Sequence, residues 1–297
     1  MLFSFLFIFF IFNTFAEAQA NVSRSPSTQS ISPRIAVDSS GNVHVVWAEY
    51  YTPIQNRPNP GRGDAFYSRY DIGTQQWSAP LNLSNSSLVF SSECRPVGID
   101  IDGSNNVYVV YMEGPNVRLR ILSGGSWGAP IDVVTSAPAQ CDSVRIAVDA
   151  SGNIFTCWWS NYGVYSRARV GGSWESVKGI SSGTSKFCNI AVGSNAVYCV
   201  WMARGTGEYR AKYVQRSRSL NAPWSAVQDV VPGGGNEQMT PDVAVEANDF
   251  PNVIWSYKVN PGTSDWNYVE QVASWTGSSV GPPRNLSGQT VQLYPRS

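Results

Sequence analysis

The stretch Pro33-Arg-Ile-Ala-Val-Asp-Ser-Ser-Gly-Asn-Val-His-Val-Val-Trp47 holds two short runs of β-branched and aromatic residues around an Asp/Ser/Gly/Asn turn. That is the pattern of a β-hairpin. It returns at Val97-Gly-Ile-Asp-Ile-Asp-Gly-Ser-Asn-Asn-Val-Tyr-Val-Val-Tyr111 and at Arg145-Ile-Ala-Val-Asp-Ala-Ser-Gly-Asn-Ile-Phe-Thr-Cys-Trp158. Looser copies run from Asn189 to Trp201 and from Pro241 to Trp255.

A second marker follows each hairpin. It is a Trp leading a short polar-apolar run, as in Trp77-Ser-Ala-Pro-Leu-Asn-Leu-Ser and Trp127-Gly-Ala-Pro-Ile-Asp-Val-Val. With Trp174, Trp224 and Trp275 these tryptophans stand 50, 47, 50 and 51 residues apart. Between the markers lies a further strand, such as Ala65-Phe-Tyr-Ser-Arg-Tyr70. Four strands per period of about 50 residues, without helical periodicity, predict the blades of an all-β propeller, in which ring closure protects strand edges. A β-sandwich also spaces strands regularly, but it does not require one aromatic marker per period.

The expected blades cover residues 33–88, 94–136, 141–183, 187–233 and 240–289, five complete repeats, with the start of another at 290–297. Pro295-Arg296 repeats Pro33-Arg34, so the reading is of part of a six-bladed or larger ring; a self-contained five-bladed ring is the alternative. Asn21-Val-Ser resembles Asn82-Leu-Ser and Asn285-Leu-Ser, which places residues 21–32 as a closing outer strand and linker. Leu2–Phe12 is apolar and too short to span a bilayer, with small residues at Ala16, Ala18 and Ala20, so residues 1–20 read as a secretory signal.

Charge is sparse and balanced, with 21 basic and 21 acidic residues, and no Lys/Arg run marks a nucleic-acid or anionic-membrane surface. The single histidine, His44, leaves almost no room for His-based zinc sites or Ser-His-Asp triads. No cofactor is expected. Export makes Cys94, Cys141, Cys157, Cys188 and Cys199 disulfide candidates. Cys94 and Cys141 occupy the same place in adjacent repeats, 17 residues before Tyr111 and Trp158, and either bridge them or remain buried thiols. Asp38, Asp102 and Asp149 recur in the first hairpin turn; one carboxylate per turn fits ordinary turn chemistry better than calcium. Asn21, Asn82, Asn85 and Asn285 head N-glycosylation sequons.

Gly124-Gly-Ser-Trp127, Gly171-Gly-Ser-Trp174 and Tyr67-Ser-Arg-Tyr-Asp71-Ile-Gly73 through Trp77 resemble the Asp-box repeats of sialidase-type propellers. The resemblance spans residues 33–297 with degenerate motifs: Leu122 and Arg169 stand where two copies should carry the Asp. The family's box is structural, so its decay leaves the fold intact. Its sialidases require three arginines to clamp a carboxylate, a Tyr/Glu nucleophile pair, an Asp acid/base and an Arg-Ile-Pro motif. Here Arg34-Ile35 is followed by Ala36, and no catalytic residue carries over.

The resemblance puts the inter-blade loops and the loops between second and third strands on one ligand face. That face then carries Glu49, Tyr50, Tyr51, Glu113, Trp159, Tyr162, Arg204 and Tyr257, while Arg34, Arg145 and Asp242 ring the channel mouth. Trp47 to Trp77 spans 30 residues against 16 in the next two repeats, and the excess forms a Pro/Gly-rich loop over 50–64 with Arg57, Arg62 and Asp64. Aromatic faces beside charged and amide groups suit sugars; the same residues also make an ordinary solvated surface. The expected function is exported, non-catalytic recognition of a glycan or an extracellular protein surface. The alternatives are a divergent glycoside hydrolase using Glu49, Glu113 or Asp242, and a scaffold without a small ligand.

Overall fold

The structure, a computed structural model, describes residues 21–25, 29–50, 61–85, 88–90, 97–135, 141–160, 163–205, 208–231, 238–247, 249–258, 267–276, 279–286 and 291–292. These residues fold as a β-propeller of five antiparallel sheets in chain order. Each sheet has an inner, a second and a third strand, for example Cys141–Val148, Ile154–Ser160 and Gly163–Val170 in the third blade. The outer strand is broken into short pieces, such as Gln76–Trp77 with Leu81–Asn82 and Ser126–Trp127 with Ile131–Val134. Pro80 and Pro130 stand at two of these breaks; proline donates no ladder hydrogen bond and is tolerated at a sheet edge.

In the third blade another blade packs on either side of the second strand, so Ile154–Ser160 is buried throughout. The aromatic at the end of the repeat motif fills the space between blades in four repeats, where Tyr111, Trp158, Trp201 and Trp255 are buried, while Trp47, also buried, stacks on Phe66 of its own blade. Blade contacts are reinforced by arginines of the third strands. Arg120 Nη1 donates to the Leu83 carbonyl of the blade before it, and Arg167 Nη1 to that of Val133. Their guanidinium groups also lie over Trp127 and Trp174.

The hairpin turns explain the repeating Asp. Asp38, Asp102 and Asp149 each accept from two backbone N–H groups and an Asn side chain within the turn. Gly41, Asn105 and Gly152 take the left-handed conformation that closes each turn, at φ of 86°, 61° and 78°. In the outer turns Asp71 accepts from Gly73 and Thr74 N–H, whereas the second and third blades use Gly124-Gly125 and Gly171-Gly172 at positive φ. Two left-handed glycines close a two-residue hairpin without a side-chain cap, so the Asp is dispensable there.

Two boundaries differ from expectation. The first inner strand begins at Gln29, because Gln29, Ser30 and Ile31 continue the pairing with Tyr50, Glu49 and Ala48. Residues 21–25 lie beside the first blade's outer strand, where Arg24 Nη2 donates to Trp77 O at 3.5 Å. The predicted loop over 50–64 is partly strand: Gly61–Gly63 pair with Leu88–Phe90, and Gly63 and Asp64 with Tyr50 and Glu49. Residues 1–20 and Cys94 lie outside the described residues. Among the described residues no helix is long and apolar enough to cross a membrane.

Blade packing is uneven around the ring. Ile146 faces the blade before it, beside Gly98, and is 7% exposed, while its equivalent Ile35 in the first blade is 66% exposed. Val46, Val110, Cys157 and Val200 face the following blade and are buried, while their equivalent Ile254 is 42% exposed. Among the described residues, the first blade lacks a neighbour behind it and the fifth lacks one ahead.

Candidate functional site

The inner strands of all five blades converge on an axial cavity of about 560 Å³, lined by Arg34, Asp100, Arg145, Asn189, Asp242 and the β-branched residues between them. Arg34, Gly98, Arg145, Asn189 and Asp242 occupy one register position, each opposite the residue before the blade's buried aromatic. In three blades a β-bulge precedes this position: Ser32-Pro33, Phe187-Cys188 and Thr240-Pro241. Ser32, Phe187 and Thr240 there have φ of 53°, 54° and 46°. A left-handed Phe or Thr costs about 1–2 kcal/mol, and bulges recur where a strand must re-aim a side chain.

A hydrogen-bond belt ties the blades around the cavity. Arg145 donates from Nε to Asn189 Oδ1 at 2.8 Å and from Nη1 to Val97 O at 3.2 Å and Val144 O at 2.7 Å. Asn189 Nδ2 donates onward to Pro241 O at 2.9 Å. Gly98 makes room for this: a Cβ there would meet Val110 Cγ1 at 3.0 Å and Arg145 Cα at 3.3 Å. Arg34 Nε, like Arg145 Nη2, is buried without a hydrogen-bond partner. Burial pulls the Arg34 guanidinium below the usual value, and the nearby Asp242 carboxylate opposes that shift.

Asp100 is the residue that motif reading passed over. Ala36, Ala147, Ala191 and Ala244 fill its register position in the other blades. Burial pushes its carboxyl above the usual range, against the N–H groups of Val148 and Ile101, which donate at 2.7 and 2.9 Å. The signal was available as the one acidic residue in a column of alanines.

The remaining sequence candidates do not gather at this cavity. Glu49 is buried and accepts from Trp47 Nε1 at 2.7 Å and Ser30 Oγ at 2.8 Å. Asp64 is buried within the first blade, accepting from Asn82 and Ser84, which corrects its expected place on an open loop. Glu113 pairs with Arg118. Tyr50 is packed in the core, and Trp159 is buried with Phe187 edge-on and Lys186 over its ring, so neither presents an open aromatic face. Tyr257 packs partly buried beside the fifth blade's core, and Arg204 is exposed near Tyr209. Tyr51, Arg57 and Tyr162 lie outside the described residues, as does the side chain of Arg62. Among the described residues no group of His, Cys, Asp or Glu is arranged to hold a metal ion.

No family model and no curated protein matches the chain. Solved structures do. A protein of unknown function from Dyadobacter fermentans superposes with a TM-score of 0.56 at 10% identity, over 89% of this chain and 84% of its own. The NanB sialidase of Streptococcus pneumoniae gives 0.58 at 10% identity, with 89% of this chain covering 61% of that one. The polysaccharide lyase Uly1 gives 0.53 at 10% identity, over 85% and 71%. This chain is thus shorter than the sialidase it resembles, and what the likeness shows is the fold: a sialidase-like β-propeller.

Proposed function

We propose that the chain is an exported recognition propeller that binds a glycan at the axial cavity. The observation that carries this reading is the set of Arg34, Asp100, Arg145, Asn189 and Asp242 around one cavity. Guanidinium, carboxylate and amide groups supply both donors and acceptors for sugar hydroxyls, and a guanidinium also matches an acidic sugar. The presence of a sialidase and a polysaccharide lyase among proteins of similar fold supports a carbohydrate ligand. Export rests on the apolar leader over residues 1–20. Binding across a glycan array, followed by calorimetry, tests the proposal. Arg34→Ala should weaken binding at least tenfold while the melting curve stays unchanged. Silence on the glycan array overturns it, and binding only to a protein array moves the reading to an extracellular protein surface.

One observation favours a hydrolase as the second reading. Asp100 and Asp242 share the cavity, and a carboxyl raised by burial is suited to donate a proton to a leaving group. Of the carboxylates first considered, Asp242 lines the cavity while Glu49 and Glu113 are engaged elsewhere. Release of reducing sugar from an oligosaccharide panel, abolished by Asp100→Asn, is the outcome that would select this reading.

A further inference from the structure

Three cysteines meet in the dry interior between the third and fourth blades. Cys157 lies on the third blade's second strand; Cys188 and Cys199 lie on the inner and second strands of the fourth. All three are fully buried thiols in one apolar cluster. The strand carrying Cys157 packs directly on the strand carrying Cys188. The Cys157 thiol is within hydrogen-bonding reach of both others. Cys188 occupies the second place of the bulge opposite Trp201, where the equivalent bulges carry Pro33 and Pro241. The bulge that turns Asn189 toward the cavity therefore sets Cys188 against the third blade.

We infer that Cys157 and Cys188 form a disulfide that staples the third blade to the fourth, leaving Cys199 as a buried thiol. The bond lies directly behind the cavity, since Cys157 is the register partner of Arg145 and Cys188 precedes Asn189. It would hold in place the Arg145–Asn189 hydrogen bond across that junction. In the reaction two S–H bonds break and one S–S bond forms. Two protons and two electrons pass to a small-molecule or protein disulfide, whose S–S bond opens to two thiols. Because the mature junction excludes solvent, the bond forms as the blades assemble. Closing a loop of this length constrains the unfolded chain.

Peptide mapping tests this on the whole chain refolded with oxidised glutathione, or recovered from an oxidising compartment, and alkylated before digestion. Trypsin releases Cys157 in residues 146–167 and both Cys188 and Cys199 in residues 187–204. The expected species is these two peptides joined, lighter than their sum by two hydrogens and separated by reductant. Cys199→Ser should keep the link and Cys188→Ser should remove it. Reduction should lower the melting temperature by roughly 5–10 °C. Three alkylated thiols overturn the inference, as does a loop closed within 187–204. A link to the peptides carrying Cys94 or Cys141, or its loss in Cys199→Ser, overturns it as well.

Discussion

Arg216 of the fourth blade and Glu175 of the third form a bidentate ion pair, at 2.6 Å from Nη1 to Oε1 and 3.0 Å from Nη2 to Oε2, with both side chains buried. The carboxylate is satisfied on every side: Ala168 and Asn221 donate backbone N–H groups to it, and Lys178 Nζ lies 3.5 Å away. Removing one partner of such a pair leaves an uncompensated buried charge. Glu175→Ala should therefore cost about 3–5 kcal/mol, read as a fall in the urea midpoint. Glu175→Leu with Arg216→Met should recover most of that loss. A near-neutral single substitution would show that the pair does not hold this junction.

The open side of the ring gives a position-matched comparison. Ile146→Ala empties a packed site and should destabilise by about 2–5 kcal/mol, whereas Ile35→Ala removes an exposed side chain and should cost under about 1 kcal/mol. Equal losses would mean that the first blade's rear face is covered in solution.

His44 supplies a pH dependence. Burial lowers its pKa against the opposing influence of Asp38, and Nδ1 and Nε2 sit 2.7 Å from Tyr67 Oη and 3.3 Å from Asp38 Oδ2. The folded state disfavours the protonated ring, so the unfolded chain binds more protons and stability should fall as pH drops through about 6.5. Burial of Asp38 is outweighed by hydrogen bonds from Asn42, Ser40 and His44, which bring its carboxyl down to about 2. Its contribution is complete above the ordinary carboxylate pKa and disappears as pH falls from about 4 toward 2. Melting temperatures across pH 2–8 should show both losses, and His44→Gln should remove the upper one while leaving most of the lower, which Asn42 and Ser40 still support.

Asp100 should display the conflict between stability and function. Its carboxyl is raised by burial, so at neutral pH the folded state holds the charge unfavourably. Asp100→Asn should leave the melting temperature at pH 7 unchanged or higher, with any gain shrinking as pH falls toward about 4, where the folded carboxyl protonates first, and absent below it. The same variant should lose the cavity's ligand. A large loss of stability at pH 7 would assign Asp100 a structural role instead.

The fold was legible in the sequence because the aromatic marker and the Asp-turn hairpin are local. Short-range patterning decides strands and turns before any blade meets another. The same locality placed Arg34, Arg145 and Asp242 in one register column. What no local pattern carries is which side chains another blade covers. Glu49, Tyr50, Asp64 and Trp159 read as surface residues and are buried, because a second blade or an outer strand closes over them. Asp100 read as one more strand residue, and only convergence of five inner strands makes it part of a cavity.

The sequence by itself therefore determined the repeat, the four-strand blade, the Asp-capped turns and the column of residues at the axis. Tertiary structure decided the rest: that Arg145 joins the belt between blades through Asn189, that Cys188 meets Cys157, and that Ile35 and Ile254 stand open. The reason is physical. Strand and turn preferences act over a few residues, whereas burial and charge pairing depend on contacts between blades about 50 residues apart in the chain.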